Sequence, residues 1–104
     1  MARNLFTEKE IVLCTYLALY ETNTFIVTDI NKICNRPVSS IKMKIQNIAA
    51  MLDEENITRY STVKGLSGVT SGAKGRRTNW NWIEVLLDLS QANLLSQCET
   101  ILNE

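Results

Sequence analysis

Residues 28–52 read TDINKICNRPVSSIKMKIQNIAAML, and this stretch decides the fold predicted for the chain. Pro37 fixes its own φ and disfavours helical geometry at Arg36, so we expect a turn at residues 35–37. A short helix capped by Thr28 or Asp29 is expected before the turn, with Ile30, Ile33 and Cys34 facing inward. The longer helix after the turn keeps one apolar face at three- and four-residue spacing, formed by Val38, Ile41, Ile45, Ile48, Ala49 and Leu52.

The opposite face of the longer helix is predicted to be exposed, polar and cationic. It carries Ser39, Ser40, Lys42, Met43, Gln46 and Asn47, flanked by Arg36 and Lys44. Such a surface suits nucleic acid, and a helix, a brief turn and a second helix match the geometry of a helix-turn-helix unit. A general α-hairpin with an ordinary solvated face fits the same spacing, so both interpretations stand at this point.

Capping signals on either side of this unit predict three further helices. Thr7 and Glu10 have the spacing of a capping box, which starts a first helix. Residues 25–27 are apolar and are expected to pack back into the core. Thr78 and Ser90 are expected to cap two later helices with apolar stripes, and the two tryptophans of the first of these are interpreted as packing residues. The prediction is therefore an all-α domain of about five helices over residues 1–104.

Residues 56–77 are predicted to form a long loop rich in glycine and basic residues. Residues 60–63 have the composition of a short strand, which is compatible with a small β-hairpin or wing. The segment ends in Lys74-Gly75-Arg76-Arg77. Its cations and small residues suit contact with a phosphate backbone, and a solvated, mobile loop is the alternative.

The composition argues against several classes of function. The chain contains no histidine, which removes the commonest general base and metal ligand. Its three cysteines, Cys14, Cys34 and Cys98, lie far apart and lack a CxxC pair, so we interpret them as buried hydrophobes. We expect no enzyme activity, no metal and no cofactor, and a carboxylate-based enzyme is the weakest alternative. No apolar run approaches the roughly 18 residues of a membrane span and no signal peptide is recognised, so a cytoplasmic location is expected.

The formal net charge is zero, but the charges are unevenly distributed. Residues 32–77 hold nine cations and three anions, a net charge of +6. Residues 1–31 hold two cations and four anions, and residues 78–104 hold four anions only. The basic middle of the chain is the part expected to be attracted to phosphate.

The order of these signals resembles a known type of domain. Arg36, Ser39-Ser40-Ile41, Met43-Lys44-Ile45, Asn47-Ile48, Gly65-Leu66-Ser67 and Trp82 follow the pattern of the helical DNA-binding-type domain that precedes the catalytic module in bacterial HNH endonucleases and related restriction proteins. The resemblance covers about residues 6–101. By position it carries over a role for Arg36, Lys44, Asn47, Gly65, Leu66, Ser67 and Trp82.

The chain departs from that pattern in three small ways and one large one. Pro37 follows Arg36 directly where the family has an intervening residue, Ile48 replaces a phenylalanine, and an extra residue precedes Asp53. The HNH module itself is missing. The resemblance therefore implies a recognition domain without its nuclease.

The leading prediction is sequence- or structure-directed binding of double-stranded DNA without catalysis. The helix after Pro37 would enter a major groove, where lysine and glutamine side chains reach base edges. The predicted contact residues are Arg36, Ser39, Ser40, Lys42, Lys44, Gln46, Asn47, Lys64, Ser67, Lys74, Arg76 and Arg77. A small transcription regulator or a stand-alone specificity module of a phage or other mobile element fits, with a homodimer formed through the acidic last helix. The alternative is a protein-interaction module, such as an inhibitor or partner of a nuclease.

Overall fold

The computed structural model describes residues 6–20, 25–58 and 80–103. Within these ranges the chain is all-helical, as predicted, and its five helices are α1 Glu8–Leu19, α2 Val27–Cys34, α3 Val38–Glu54, α4 Trp80–Leu86 and α5 Gln91–Leu102. None of these helices is long and apolar enough to cross a membrane. The predicted short strand and the Thr78 cap lie outside the described residues. So does the predicted Gly-rich basic loop, except for residues 56–58.

The first helix begins where the capping box predicted. The amide of Thr7 donates to the Glu10 carboxylate at 2.7 Å, and the amide of Glu10 donates to the Thr7 hydroxyl at 3.3 Å. Each side chain thus satisfies an amide that has no partner inside the helix. Both acceptors are side chains within the first turn, so the start of α1 is fixed locally.

Helix α1 forms the centre of the core. It packs against α2, α3, α4 and α5, and nine of its twelve residues are buried. The ring centroids of Tyr16 and Tyr20, which are one turn apart, lie 5.2 Å from each other. The ring centroid of Phe25, just before α2, lies 5.8 Å from that of Tyr16. Burying a large apolar side chain contributes about 1.5–3 kcal/mol, so this helix supplies much of the folding free energy.

The second helix differs from the prediction in its start and in its faces. Its N-cap is Ile26, and Asp29 lies three residues later, where its carboxylate accepts the Ile26 amide at 2.8 Å. Neither Thr28 nor Asp29 is the cap. Ile30 is fully buried as expected, but Ile26 is 56% exposed and Ile33 is 45% exposed. A helix of eight residues has room for little more than one inward stripe, and Ile30 and the half-buried Val27 and Cys34 occupy it.

The third helix begins and ends close to the predicted residues. Its core face is as predicted, with Val38 only half-buried at the start. At its end Asn56 adopts a left-handed conformation with φ 60°. The amide of Ile57 then donates to Leu52 O at 2.9 Å and that of Asn56 to Asp53 O at 3.1 Å, the two hydrogen bonds of a Schellman motif.

Helices α4 and α5 close the core over α1. Trp80 and Trp82 are partly buried and pack against it, in agreement with their interpretation as packing residues. The Ser90 hydroxyl accepts the Asn93 amide at 3.2 Å and caps α5, as predicted. Cys98 lies fully buried with its sulfur 3.9 Å from Val12 O. Burial raises the pKa of the Cys14 and Cys98 thiols to about 12, which keeps both protonated.

Candidate functional site

The turn between α2 and α3 occupies residues 35–37 and is held by two local features. Asn35 adopts left-handed geometry, with φ 50° and ψ 45°, and its amide donates to Asn31 O at 3.0 Å. The side-chain amide of Asn31 donates to Arg36 O at 2.6 Å. Pro37 is the N-cap of α3. The turn that the proline predicted is therefore present, and it connects α2 to α3 within three residues.

Arg36 points back to α1 and pairs with Glu10. Its Nε lies 3.0 Å from Glu10 Oε2 and its Nη2 lies 3.0 Å from Oε1, so the pair is bidentate. The two side chains are only 10% and 6% exposed. Burial by itself would raise the pKa of the Glu10 carboxyl, but the hydrogen bonds from Arg36 and Thr7 and the Arg36 charge outweigh it and leave that pKa lowered.

An aromatic ring lies against this ion pair. The guanidinium carbon of Arg36 is 3.9 Å from the centroid of the Phe6 ring, and Lys44 Nζ is 5.7 Å from it. Both distances are in the range of cation–π contacts. Phe6 therefore holds the two cations on one side of the α3 amino-terminal half.

Lys44 is buried, whereas the sequence predicted it on the exposed flank of α3. Only 8% of the residue is exposed. Burial lowers the pKa of its ammonium group, with a smaller opposing effect from Cys14. Lys44 is buried because it lies between the core positions Ile41 and Ile48 on the helix surface. A phosphate contact by Lys44 or Arg36 stays a prediction, but neither side chain forms part of an open cationic face.

The remaining predicted residues of α3 divide into two adjacent stripes. Those of the outer stripe, which we call the α3 outer face, are Ser39, Lys42, Met43 and Gln46. Lys42 and Met43 are exposed and Gln46 is half-buried. Ser40 and Asn47 are also half-buried and lie on the side nearer Lys44. Lys42 is the single exposed cation of the described part of this predicted set.

Beside the α3 outer face the structure contains a pocket of about 460 Å³, which we call the α3 pocket. Its lining residues are Phe6, Arg36, Pro37, Ser40, Met43, Lys44 and Asn47. Four of these, Arg36, Ser40, Lys44 and Asn47, are predicted DNA contacts that the structure brings together in this pocket. Phe6 was missed, because nothing in the local spacing around residue 6 signals its contact with residues 36 and 44.

Five predicted contacts lie outside the described residues. They are Lys64, Ser67, Lys74, Arg76 and Arg77, and their roles stay predictions. Gly65 and Leu66 of the resemblance lie in the same segment.

Comparison with known proteins finds no matching family model, no similar curated protein and no similar solved structure. The resemblance to the domains of HNH endonucleases therefore rests on the quoted motifs alone.

Proposed function

We propose that the chain binds double-stranded DNA without catalysing a reaction on it, and that the α3 outer face enters the major groove. The observation that carries the proposal is the exposure of this face directly after a three-residue turn, on the longest described helix. An α-helix fits the major groove, and lysine and glutamine there reach guanine and adenine edges. Arg36 has a different role in this proposal, since its pairing with Glu10 joins the turn to α1.

The net positive charge of residues 32–77 supports the same proposal. Helix α3 contributes Lys42 to it directly, and the segment 59–79, outside the described residues, contributes five further cations. We assign the phosphate contacts chiefly to that segment, because the two other cations near α3 are buried. A small regulator or a specificity component is the corresponding biological role.

The salt dependence of duplex binding tests this proposal. Fluorescence anisotropy with a labelled random-sequence duplex should show affinity falling steeply between about 50 and 200 mM salt. Because Lys42 is assigned to a base edge, Lys42→Ala should weaken binding by an amount that depends on the duplex sequence and leave the slope of log K against log salt nearly unchanged. If Lys42 contacts a phosphate instead, the affinity falls equally for all duplexes and the slope decreases by about 0.9.

Lys9→Ala is the matched control, because it removes the same charge from an exposed residue of α1. It should leave affinity and slope nearly unchanged. Equal losses for Lys9→Ala and Lys42→Ala would contradict a role for the α3 outer face. No binding to any duplex of a varied panel at about 50 mM salt would reject DNA binding altogether.

A protein partner is the second candidate, and one observation favours it. Ile33 and Met43, on α2 and α3, are large apolar side chains that are 45% and 60% exposed. Apolar groups of this size at the centre of a contact surface are typical of protein interfaces. Failure of duplex binding at low salt would make this the leading function.

A further inference from the structure

Lys44 is a buried cation without a counter-ion among the residues that the structure describes. Its ammonium group makes no hydrogen bond and no ion pair within residues 6–20, 25–58 and 80–103, and it lies 5.7 Å from the centroid of the Phe6 ring. The residue is only 8% exposed. Buried charges in proteins are normally paired, because removing an ammonium group from water is costly. The charge of Lys44 is therefore uncompensated inside the described protein.

The described lining of the α3 pocket supplies no anion for Lys44. None of the seven described residues that line it is acidic. Glu10, the nearby buried carboxylate, already holds Arg36 through both oxygens. The lining thus contains two cations, one neutralised by Glu10 and one not. An anion entering the pocket would give Lys44 the partner that it lacks.

The other described lining residues of the α3 pocket are apolar or uncharged. Phe6 presents an aromatic ring, Pro37 a pyrrolidine ring and Met43 a flexible thioether that is 60% exposed. Asn47, also in the lining, has a buried side-chain oxygen that finds no hydrogen-bond partner in the described part of the chain. A volume of about 460 Å³ lies in the range of small-molecule sites, which combine apolar walls with a few polar groups.

We propose that the α3 pocket binds a small aromatic carboxylate, with the carboxylate on the Lys44 ammonium group and the ring between Phe6 and Met43. The negative charge of the ligand would pair with the Lys44 ammonium group. Its flat apolar ring would pack against the Phe6 ring and the Met43 thioether. The pocket shares Met43 with the α3 outer face, but its key cation is buried, so benzoate binding can be measured without DNA and its outcome does not depend on the proposed function.

Titration of the ¹⁵N-labelled protein with benzoate, followed by amide chemical shifts, tests the proposal. Benzoate should bind with a dissociation constant of about 1 mM, a value appropriate to so small a ligand, and should shift the amides of Ser40 and Met43. Benzamide has the same shape and no charge, and inorganic phosphate has charge and no ring. Both should bind at least about tenfold more weakly than benzoate.

Two variants locate the effect at Lys44. Lys44→Met keeps the length of the side chain, removes its charge and should weaken benzoate binding about tenfold or more, while Lys42→Met, the matched control on the exposed face, should leave it unchanged. Asn47→Asp places a carboxylate in the pocket lining, three residues from Lys44, and should also suppress benzoate binding. Amide spectra show whether each variant is folded. If Lys44→Met does not fold, Asn47→Asp still tests the proposal.

Three results would overturn the proposal. They are the absence of benzoate binding at about 10 mM, unchanged benzoate affinity in a folded Lys44→Met or Asn47→Asp protein, and benzamide or phosphate binding as tightly as benzoate.

Discussion

Glu10 is the residue on which the position of the α2–α3 turn depends. Its carboxylate accepts hydrogen bonds from the Thr7 amide at the start of α1 and from Nε and Nη2 of Arg36 in the turn. One buried side chain therefore links two parts of the chain that are 26 residues apart. Truncating one member of a buried ion pair leaves the other charge uncompensated, which typically costs about 3–5 kcal/mol.

Glu10→Gln tests this link and separates its charge from its capping role. Glutamine still accepts the Thr7 amide, as in a capping box, but it removes the negative charge that Arg36 contacts in the wild-type protein. We expect the free energy of unfolding at pH 7 to fall by about 3 kcal/mol, measured by urea denaturation. Adding Arg36→Met should restore part of that loss. A loss below about 0.5 kcal/mol in Glu10→Gln would show that the pair contributes little to stability.

The pH dependence of stability follows from the same pair. The pKa of Glu10 is lowered on folding, so its contribution is complete above the ordinary carboxyl value of about 4.5 and is lost as the pH falls through the lower folded value. The stability difference between wild type and Glu10→Gln should therefore be largest near neutral pH and shrink below about pH 4.5. A difference that grows on acidification would contradict the direction of this shift.

The sequence predicted the cations of this region but not their use. Arg36 and Lys44 lie next to a polar helix face, so spacing alone favoured phosphate contacts. What decides their environment is a glutamate and a phenylalanine from the start of the chain, and local patterns contain no information about such distant contacts.

At the scale of helices, the connection between α2 and α3 depends on the backbone conformation of Asn35. Its φ of 50° lies in the left-handed region, which asparagine and glycine tolerate and β-branched residues do not. The side chain is exposed, so a substitution there changes backbone preference with little effect on packing.

Asn35→Val should lower the free energy of unfolding by about 1–2 kcal/mol, because a β-branched side chain clashes in left-handed geometry. Asn35→Gly is the matched control and should be neutral within about 0.5 kcal/mol or slightly stabilising. Thermal and urea unfolding of the two variants measure the difference. Equal stabilities for valine and glycine at this position would rule out the left-handed turn.

Helix starts were predicted correctly where a single residue marks them. The start of α2 was predicted incorrectly, because two neighbouring polar residues both looked like caps. Thr7, Pro37 and Ser90 each marked a helix start correctly. In α2 the polar run Thr28-Asp29 suggested a cap, but the helix begins earlier. Asp29 is its third residue, and the Asp29 carboxylate accepts a hydrogen bond from the Ile26 amide. Ile33 was placed inward by its spacing, but the partner surface covers only the stripe around Ile30.

At the scale of the molecule, α1 organises the packing that leaves the α3 outer face available. The stretch 28–52 supplies the candidate contacts, and α1 supplies the core beneath them, with Ile11, Leu13 and Cys14 fully buried. The sequence favoured α3 instead of α1 as the helix that organises the fold, because the apolar periodicity of α3 is sharper than that of a helix buried on most of its sides. Which elements surround a helix depends on tertiary packing, so the five-helix class was predictable and the central place of α1 was not.

The most direct test of the central claim is a map of the residues that respond to DNA. The amide spectrum of the ¹⁵N-labelled protein should be recorded while a duplex is added at about 50 mM salt, where phosphate contacts are strong. DNA binding through α3 predicts the largest shifts at Ser39, Lys42, Met43 and Gln46, with the exposed residues of α5, such as Gln97 and Thr100, unchanged. Shifts confined to α5 with α3 unaffected, or no shifts at all, would contradict it.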